Sequence, residues 1–194
     1  MGTREEILAA AARIMRTEGY ARATTKAIAA EAGYSEAALY KHFADKTEIF
    51  LSVLAEEMPG LSALIGRLEE RAGEGTVQAN LEEVASTAIA FYTESFPVAM
   101  SLFSSATLLA AHRDRVRELG AGPRAPLDGI ARYLDAERRL GRISATADPM
   151  AVASLLLGAC FQQAFLAAFA GETPSASARA ELAGRLVAAL LAPL

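Results

Sequence analysis

The sequence predicts an all-α protein. Alanine is abundant, whereas the 194 residues include only 14 glycines and 7 prolines, and this composition favours helices. Apolar residues recur at spacings of three and four, and no segment alternates apolar and polar residues as a half-buried strand does. Hydrophobic residues make up 53% of the chain, which is typical of a packed core and excludes intrinsic disorder.

Net charge and cysteine content set weaker limits on function. The net charge of −4 argues mildly against a nucleic-acid partner. However, residues 1–50 carry seven basic and seven acidic residues, and the local placement of charge matters more for DNA binding than its sum. Cys160 is the single cysteine and no signal peptide is visible. We therefore expect a reducing, cytoplasmic location.

Two short helices are predicted first. The first covers residues 4–18, where apolar residues form one stripe and Thr3 is the expected N-cap. The second is expected to begin at a cap on Thr25 and to continue to about Ala32. Gly33 ends it, because glycine adopts a left-handed turn at the lowest cost.

The third predicted helix, residues 36–43, has an unusual composition. Ser35 is its expected N-cap. Only Leu39 and Phe43 are strongly apolar, and their i, i+4 spacing places them on one face of a helix. The other positions carry alanine, tyrosine, lysine and histidine, so one narrow face is expected to pack and the rest to remain exposed.

Longer helices are predicted in the rest of the chain, after a fourth short helix of residues 46–58 capped by Asp45. Glycine and proline residues separate them. Pro97 is expected to end one helix, and Asp148 followed by Pro149 marks the start of another. The longer helices are expected at residues 61–71, 77–96, 98–119, 127–140, 150–170 and 176–191.

The second and third helices, joined by a glycine-containing turn, are typical of a helix-turn-helix. If Leu39 and Phe43 hold the third helix, its small and polar residues can enter a major groove, and hydroxyls and amines can bind phosphates. A plain helical hairpin with a solvated polar face is the alternative, which spacing alone leaves open. The candidate DNA-binding residues are Thr25, Lys26, Ser35, Glu36, Ala37, Tyr40, Lys41, His42 and Lys46.

A resemblance to a known family supports the first interpretation. The segment TTKAIAAEAGYSEAALYKHFADKTEIFLSVL, residues 24–54, closely resembles the DNA-binding motif of the TetR (tetracycline-repressor-like) family of bacterial regulators. The preceding REEILAAAARIMRTEGY resembles the first helix of that family, so the resemblance covers residues 4–54. The matching residues are Thr25, Ile28, Ala29, Ala32, Gly33, Ser35, Leu39, Tyr40, His42, Phe43 and Lys46.

The resemblance implies a homodimer that binds a palindromic operator in double-stranded DNA, with one third helix in each half-site. We accordingly expect a helix-turn-helix DNA-binding domain of residues 1–48 and a helical effector-binding and dimerisation domain of residues 49–194. Contacts mainly with phosphates are implied for Thr25, Tyr40, His42 and Lys46. Positions near base edges are implied for Ser35, Glu36, Ala37 and Lys41.

Glu36 departs from the pattern of the family, because several relatives carry a small or basic residue at this position. Its carboxylate could accept a hydrogen bond from a cytosine amine, while Lys41 could donate to guanine. Alternatively, Glu36 favours the helix N-terminus through the helix dipole. The sequence leaves both interpretations open.

The segment of residues 150–170 is nearly all apolar. Its 21 residues could span a bilayer, but Gln162 and Gln163 and the lack of a flanking basic cluster argue against a membrane span. We expect this helix to be buried on several sides. Together with residues 176–191 it is expected to form the dimer interface, since the resemblance implies a four-helix bundle across the two-fold axis.

Aromatic and methionine side chains cluster in the middle of the chain and near residue 161. Family members use this region as a small-molecule cavity, so the resemblance implies an effector, which would be largely apolar. Ordinary core packing is the alternative for each of these side chains, and Gln162 and His112 are the candidate polar groups. The candidate ligand-binding residues are Phe91, Tyr92, Phe96, Met100, Phe103, His112, Phe161, Gln162 and Phe165.

No catalytic or cofactor motif is visible in the sequence. With one cysteine and two distant histidines, we expect no metal site, no cofactor and no enzymatic activity. The predicted function is that of a transcriptional regulator, specifically a repressor released from its operator by a small ligand. Two alternatives remain: a DNA-binding regulator of the same fold with no small-molecule effector, and an all-α ligand-binding protein that does not bind DNA.

Overall fold

The computed structural model describes residues 2–20, 22–56, 60–118 and 122–192, which contain helices and no strand. The all-α prediction is therefore confirmed. The helices are α1 (Thr3–Glu18), α2 (Thr25–Glu31), α3 (Glu36–Leu39), α4 (Lys46–Glu56), α5 (Leu61–Leu68), α6 (Val77–Phe103), α7 (Ala106–Glu118), α8 (Ala125–Arg139), α9 (Pro149–Ala170) and α10 (Ala176–Leu191), and a 3-10 turn, Glu69–Arg71, follows α5.

The chain forms two compact units. The first comprises Met1–Met58 and Glu94–Gly120, and the second comprises Pro59–Thr93 and Ala121–Leu194. The division into functional domains of residues 1–48 and 49–194 stays a prediction. The helix ends predicted at residues 58 and 119 lie outside the described residues.

A single apolar cluster holds the first unit together. The stripe predicted for α1 is confirmed, because its apolar side chains are buried against those of α2, α3 and α4. Full burial of one such side chain contributes about 1.5–3 kcal/mol. The largest members of the cluster are Ile7, Leu8, Met15, Ile28, Leu39, Phe43, Ile49 and Phe50.

Two N-caps lie one residue before the predicted position. Gly2 precedes α1, and Thr3 is its first helical residue. Thr24 caps α2, because its Oγ1 accepts a hydrogen bond from the amide of Ala27 at 3.1 Å. An N-cap needs extended backbone, which Thr24 has (φ −70°, ψ 153°), so the prediction for Thr25 is wrong.

The other predicted caps are confirmed. Ser35 accepts a hydrogen bond from the amide of Ala38 at 3.2 Å at the start of α3. Asp45 accepts one from the amide of Glu48 at 2.8 Å before α4. Asp148 accepts hydrogen bonds from the first amides of α9. Each side chain satisfies an amide that has no partner within its own helix.

The third helix is shorter than predicted. α3 ends at Leu39 instead of continuing to residue 43. The amide of Lys41 donates to the carbonyl of Ala38 at 3.2 Å, and that of His42 donates to Leu39 at 3.0 Å. These bonds reach back three residues instead of four, so the backbone tightens into a turn. The turn then leads directly to the cap of α4.

Pro97 does not separate two helices as predicted, because α6 continues through it to Phe103. Proline costs the helix one amide hydrogen bond, but the adjacent Val98 is fully buried in the first unit, and its packing stabilises the helix beyond the proline. The break lies at Ser105, whose Oγ accepts from the amide of Leu108 at 3.3 Å at the start of α7.

The second unit combines an apolar core with a buried polar group. Leucine, isoleucine, valine and alanine side chains of α5, α6, α8, α9 and α10 form the core. Glu137 is fully buried, where its Oε1 accepts from the amide of Gly73 at 3.2 Å and its Oε2 lies 3.3 Å from Nε of Arg142. Asn80 donates to the hydroxyl of Tyr133 at 2.9 Å. Burial raises the pKa of Tyr133 to about 12.

In the single chain α9 is buried on one side, and burial of its other sides in an assembly stays a prediction. Ala153, Leu156 and Cys160 face the core of the second unit. Leu155 and Phe169, in contrast, are 63% and 84% exposed. By length and mean hydropathy (1.7) the helix could cross a membrane, and 28% of that window is buried. One such helix is weak evidence for a membrane protein.

Candidate nucleic-acid interface

The packed face of α3 and its following turn is as predicted. Leu39 and Phe43 are 0% and 2% exposed, and both belong to the core of the first unit. The guanidinium of Arg4 lies 5.3 Å from the centroid of the Phe43 ring. α1 therefore packs against the buried face of the segment, while the residues between Leu39 and Phe43 are exposed to solvent.

The candidate DNA-binding residues lie in α2, at the N-cap of α3, in α3 itself, in the turn that follows α3 and at the start of α4. Seven of them are exposed, and Thr25 and Lys46 are partly buried. Tyr40 keeps 51% of its surface exposed, although it belongs to the same turn as the buried Phe43. The exposed members are Lys26, Ser35, Glu36, Ala37, Tyr40, Lys41 and His42.

Three of these side chains are joined by hydrogen bonds. The hydroxyl of Thr25 donates to Oε1 of Glu36 at 2.5 Å. The hydroxyl of Tyr40 donates to Oγ1 of Thr25 at 3.4 Å. This chain links the first residue of α2 to both ends of α3. This link could not be predicted from the sequence, because Thr25 and Glu36 are eleven residues apart and meet only through the turn between the helices.

Lys46, the first residue of α4, is held by an aromatic ring. Its Nζ lies 3.9 Å from the centroid of Tyr20, which in turn packs edge-on against Phe50 at 4.9 Å. Burial lowers the pKa of Lys46. Tyr20 was not among the candidate residues, although a cation over an aromatic face is a recognised stabilising contact.

Most acidic residues of the first unit's N-terminal part are bonded within the unit. Glu56 accepts two hydrogen bonds from Arg4, both at 2.7 Å, and this pairing lowers the pKa of Glu56. Glu31 pairs with Arg13 at 3.2 Å. Within residues 22–56, by contrast, Lys26 and Lys41 form no ion pair and are exposed. The exposed lysines therefore make this surface more favourable to DNA than the net charge of zero for residues 1–50 indicates.

Further acidic side chains bond to backbone or to tyrosine. Glu5 accepts from the amide of Gly2 at 3.1 Å, and Glu6 accepts from the hydroxyl of Tyr34. Glu48 accepts from the amide of Ala44 at 2.6 Å. Each of these carboxylates therefore fixes a helix end or a helix contact.

The candidate ligand-binding residues are divided between the two units. In the second unit, Tyr92 packs edge-on against Phe91 at 5.5 Å and against Phe161 at 5.4 Å, and burial raises the pKa of Tyr92. Phe161 and Phe165 are 47% and 44% exposed, and Gln162 is also exposed. That these residues bind a ligand stays a prediction.

The first unit contains the remaining ligand-binding candidates. Phe103 and Met100 are 70% and 48% exposed, and Phe96 is half-buried. His112 is half-buried as well, and its Nδ1 has no hydrogen-bond partner among the described residues. Burial lowers the pKa of His112, which favours the neutral imidazole.

Two surface grooves lie in the second unit. The first, of about 460 Å³, is lined mainly by charged residues of α8 and the start of α9. The second, of about 720 Å³, lies between α6, α9 and α10 and includes Gln163, Leu166 and Leu182. Neither groove is lined by a candidate ligand-binding residue. Among the described residues, no cluster of His, Cys, Asp and Glu could hold a metal ion.

Comparison with known proteins identifies the N-terminal segment. Residues 7–53 match the model of a family described as bacterial regulatory proteins, TetR family. A nucleoid occlusion factor SlmA from Marinomonas sp. (strain MWYL1) is 33% identical over 114 residues, which are 59% of this chain. The match covers 56% of that relative, so it spans little more than half of its length.

Solved structures share the fold over nearly the whole chain. A protein from Mesorhizobium loti MAFF303099, described as a TetR-family transcriptional regulator, matches with a TM-score of 0.77 and 25% identity over 97% of this chain and 95% of its own. SmeT, the repressor of the Stenotrophomonas maltophilia multidrug efflux pump SmeDEF, matches with a TM-score of 0.68 and 25% identity over 97% of this chain and 90% of its own. A complex of SmeT with triclosan matches with a TM-score of 0.67 and 23% identity over 97% of this chain and 91% of its own.

Proposed function

We propose that this chain, which belongs to the TetR family of bacterial regulatory proteins, is a homodimeric repressor that a small, largely apolar ligand releases from a palindromic operator. The family and the fold are those of DNA-binding transcriptional regulators. The repressor role, the dimer, the operator symmetry and the ligand are the proposed parts.

The observation that carries the proposal is the two-sided character of α3. The segment formed by α3 and its following turn has two buried apolar side chains, Leu39 in α3 and Phe43 after the turn, so it contributes little to the core. The same helix is well suited to a major groove, because small residues near its start allow close approach and polar side chains surround them. Lys41 and His42 follow directly after α3 and are exposed, where they can reach phosphates or base edges.

The exposed side of α9 supports a dimer. Leu155, Phe161, Phe165, Leu166 and Phe169 are all 44–84% exposed in the single chain. An apolar surface of this kind on a water-soluble protein marks an interaction site. A second copy of the chain is the simplest partner, because a two-fold axis lets α9 and α10 cover the same helices of the other copy. This arrangement also supplies the pair of α3 helices that a palindromic operator needs.

Ligand-controlled release is proposed from the aromatic side chains of the second unit. The Phe91, Tyr92 and Phe161 rings form a continuous aromatic group, which suits an apolar ligand. One solved neighbour, SmeT, is a repressor and has been solved with triclosan. A ligand would act by favouring a state of the dimer in which the two α3 helices are wrongly spaced for successive major grooves.

The test is operator binding by the purified protein, measured by fluorescence anisotropy with and without an apolar ligand that binds the protein. We expect tight binding to a symmetric site by a dimer and at least tenfold weaker binding when the ligand is present. A ligand that binds tightly and leaves the operator affinity unchanged would contradict the release mechanism and favour a regulator of the same fold without a small-molecule effector.

Nucleoid occlusion is the second candidate function. Curated relatives that match this chain include nucleoid occlusion factors, with 33% identity over 114 residues in one of them and 50% identity over 52 residues in another. A protein that acts on the nucleoid is expected to occupy many sites across the chromosome, whereas a repressor of one operon occupies few. Mapping of bound chromosomal sites in cells distinguishes the two functions.

We also propose a cytoplasmic location and no enzymatic activity, because solved proteins that share this fold are described as a transcriptional regulator and a repressor. The third functional class, a ligand-binding protein that does not bind DNA, makes a different prediction. Such a protein would have no salt-dependent affinity for any DNA, because phosphate contacts make binding sensitive to salt.

A further inference from the structure

The link between Glu36 and Thr25 gives these two residues unequal roles. Each is the first residue of its helix, α3 and α2 respectively. The Thr25 hydroxyl donates to Oε1 of Glu36 at 2.5 Å and accepts from the Tyr40 hydroxyl at 3.4 Å. A threonine hydroxyl has one hydrogen to donate, and here Glu36 receives it. Thr25 therefore orients a carboxylate and has no hydrogen left for a phosphate.

Glu36 is a carboxylate held in place and only half used. Its Oε2 accepts no hydrogen bond from any described residue, and Glu36 forms no ion pair with any of them. The residue is exposed, so the free oxygen is available to an external donor. Because the hydrogen bond from Thr25 restricts the side chain, less conformational entropy is lost when a donor binds.

An unpaired carboxylate is unfavourable on a surface that approaches DNA, since it repels the phosphates. A compensating contact is a base that donates a hydrogen bond, and in the major groove the donor best matched to a glutamate is the N4 amine of cytosine. The neighbouring Ser35 and Ala37 are small and exposed. The N-terminal residues of a recognition helix are also the ones that contact base edges.

We propose that Glu36 is a specificity-determining residue that reads one cytosine in each half-site, and that Thr25 is the positioning residue which holds its carboxylate. This inference rests on the proposed function, because it needs α3 to enter the major groove. Of the two roles that the sequence left open for Glu36, a cytosine contact and a favourable interaction with the helix dipole, the inference selects the cytosine contact. Thr25 then supports base reading instead of binding a phosphate.

The test is selection of bound sequences from a random DNA pool with the full chain and four variants. Glu36→Ala removes the acceptor, and Glu36→Gln keeps its shape but offers an amide, which pairs with adenine. Thr25→Val removes the hydroxyl at nearly constant volume, and Thr25→Ser keeps it as the matched control. Thermal unfolding by circular dichroism checks that every variant is folded.

The wild type should select cytosine at one position in each half-site. Glu36→Ala should reduce the discrimination for that cytosine at least about fivefold and leave the other positions unchanged. Glu36→Gln should shift the preference at the same position towards adenine. Thr25→Val should weaken only the cytosine preference, and Thr25→Ser should retain it.

Three results would overturn the inference alone, and a fourth would overturn the proposed function as well. If folded Glu36→Ala keeps every base preference, Glu36 only links two helices. If folded Glu36→Ala or Glu36→Gln loses affinity equally at all positions, Glu36 supports α3 and reads no base. If Thr25→Val keeps a cytosine preference that Glu36→Ala has lost, Thr25 does not position the carboxylate. If the wild type enriches no sequence, the proposed function fails, and the inference fails with it.

Discussion

The ammonium of Lys46 lies 3.9 Å from the ring centroid of Tyr20, at the point where α4 begins beside the candidate DNA-binding residues. The ring holds the ammonium in place, while Phe50 of the same helix is fully buried in the core. Lys46 is therefore a point charge in a fixed place. A charge of this kind is suited to a phosphate, which is recognised by position and sign.

Replacement of Lys46 by alanine should weaken binding to every DNA sequence to a similar extent. The reason is that a phosphate contact carries no sequence information. The slope of log affinity against log salt should decrease by about one. The measurement is a salt series by fluorescence anisotropy on the selected site and on random DNA. A loss confined to the selected site would assign Lys46 to a base edge.

Replacement of Lys41 by alanine should act differently, because Lys41 lies in the turn after α3 and is exposed. We expect the base preference of one half-site position to relax, at a cost of about 1–3 kcal/mol in specific binding. Binding to random DNA should change less. An equal loss of affinity for the selected site and for random DNA would assign Lys41 to the phosphate-binding residues. Lys46→Ala, measured in parallel, is the control for that behaviour.

Replacement of Phe165 by aspartate should prevent dimer formation if the exposed side of α9 is the dimer interface. A charge buried in an apolar interface without a partner is strongly unfavourable. Analytical ultracentrifugation should show a monomer, and operator affinity should decrease at least tenfold. The matched control is Leu140→Asp, an exposed apolar residue at the end of α8. A dimer in the Phe165 variant would exclude this face as the interface.

Tyr133 predicts a pH dependence of stability. Burial raises its pKa to about 12, from the ordinary value of 10.0, so the unfolded state loses this proton first as pH rises. The contribution of Tyr133 to the free energy of unfolding is complete below pH 10 and is lost between about pH 10 and 12. Urea unfolding at pH 9, 10 and 11 should show this loss. A Tyr133→Phe variant should show a smaller loss of unfolding free energy over this pH range. An equal loss in the variant and the wild type would contradict the assignment of the pH dependence to Tyr133.

Much of the first unit could be predicted from the sequence, because local rules fix it. The i, i+4 spacing of Leu39 and Phe43 indicates one buried face, and Ser35 and Asp45 have the side chains and positions of N-caps. Each of these signals lies within one turn of the residue it acts on. The outcome therefore depends little on the rest of the fold.

Features that depend on tertiary contacts could not be predicted in this way. Pro97 remains inside α6 because Val98 is buried in a core formed by distant helices. The hydrogen bond from Thr25 to Glu36 depends on the angle of the turn between α2 and α3, which the sequence does not specify. Thr24 and Thr25 are chemically equal candidates for the cap, and only the backbone conformation of Thr24 distinguishes them.

The most direct test of the central claim is selection from a random DNA pool by the purified chain at two salt concentrations. We predict enrichment of a two-fold symmetric site whose half-site centres are about 34–36 Å apart or a multiple of that distance, with affinity that decreases steeply as salt increases. Enrichment of no sequence, together with binding that is absent or insensitive to salt, would contradict the claim that this chain is a DNA-binding regulator.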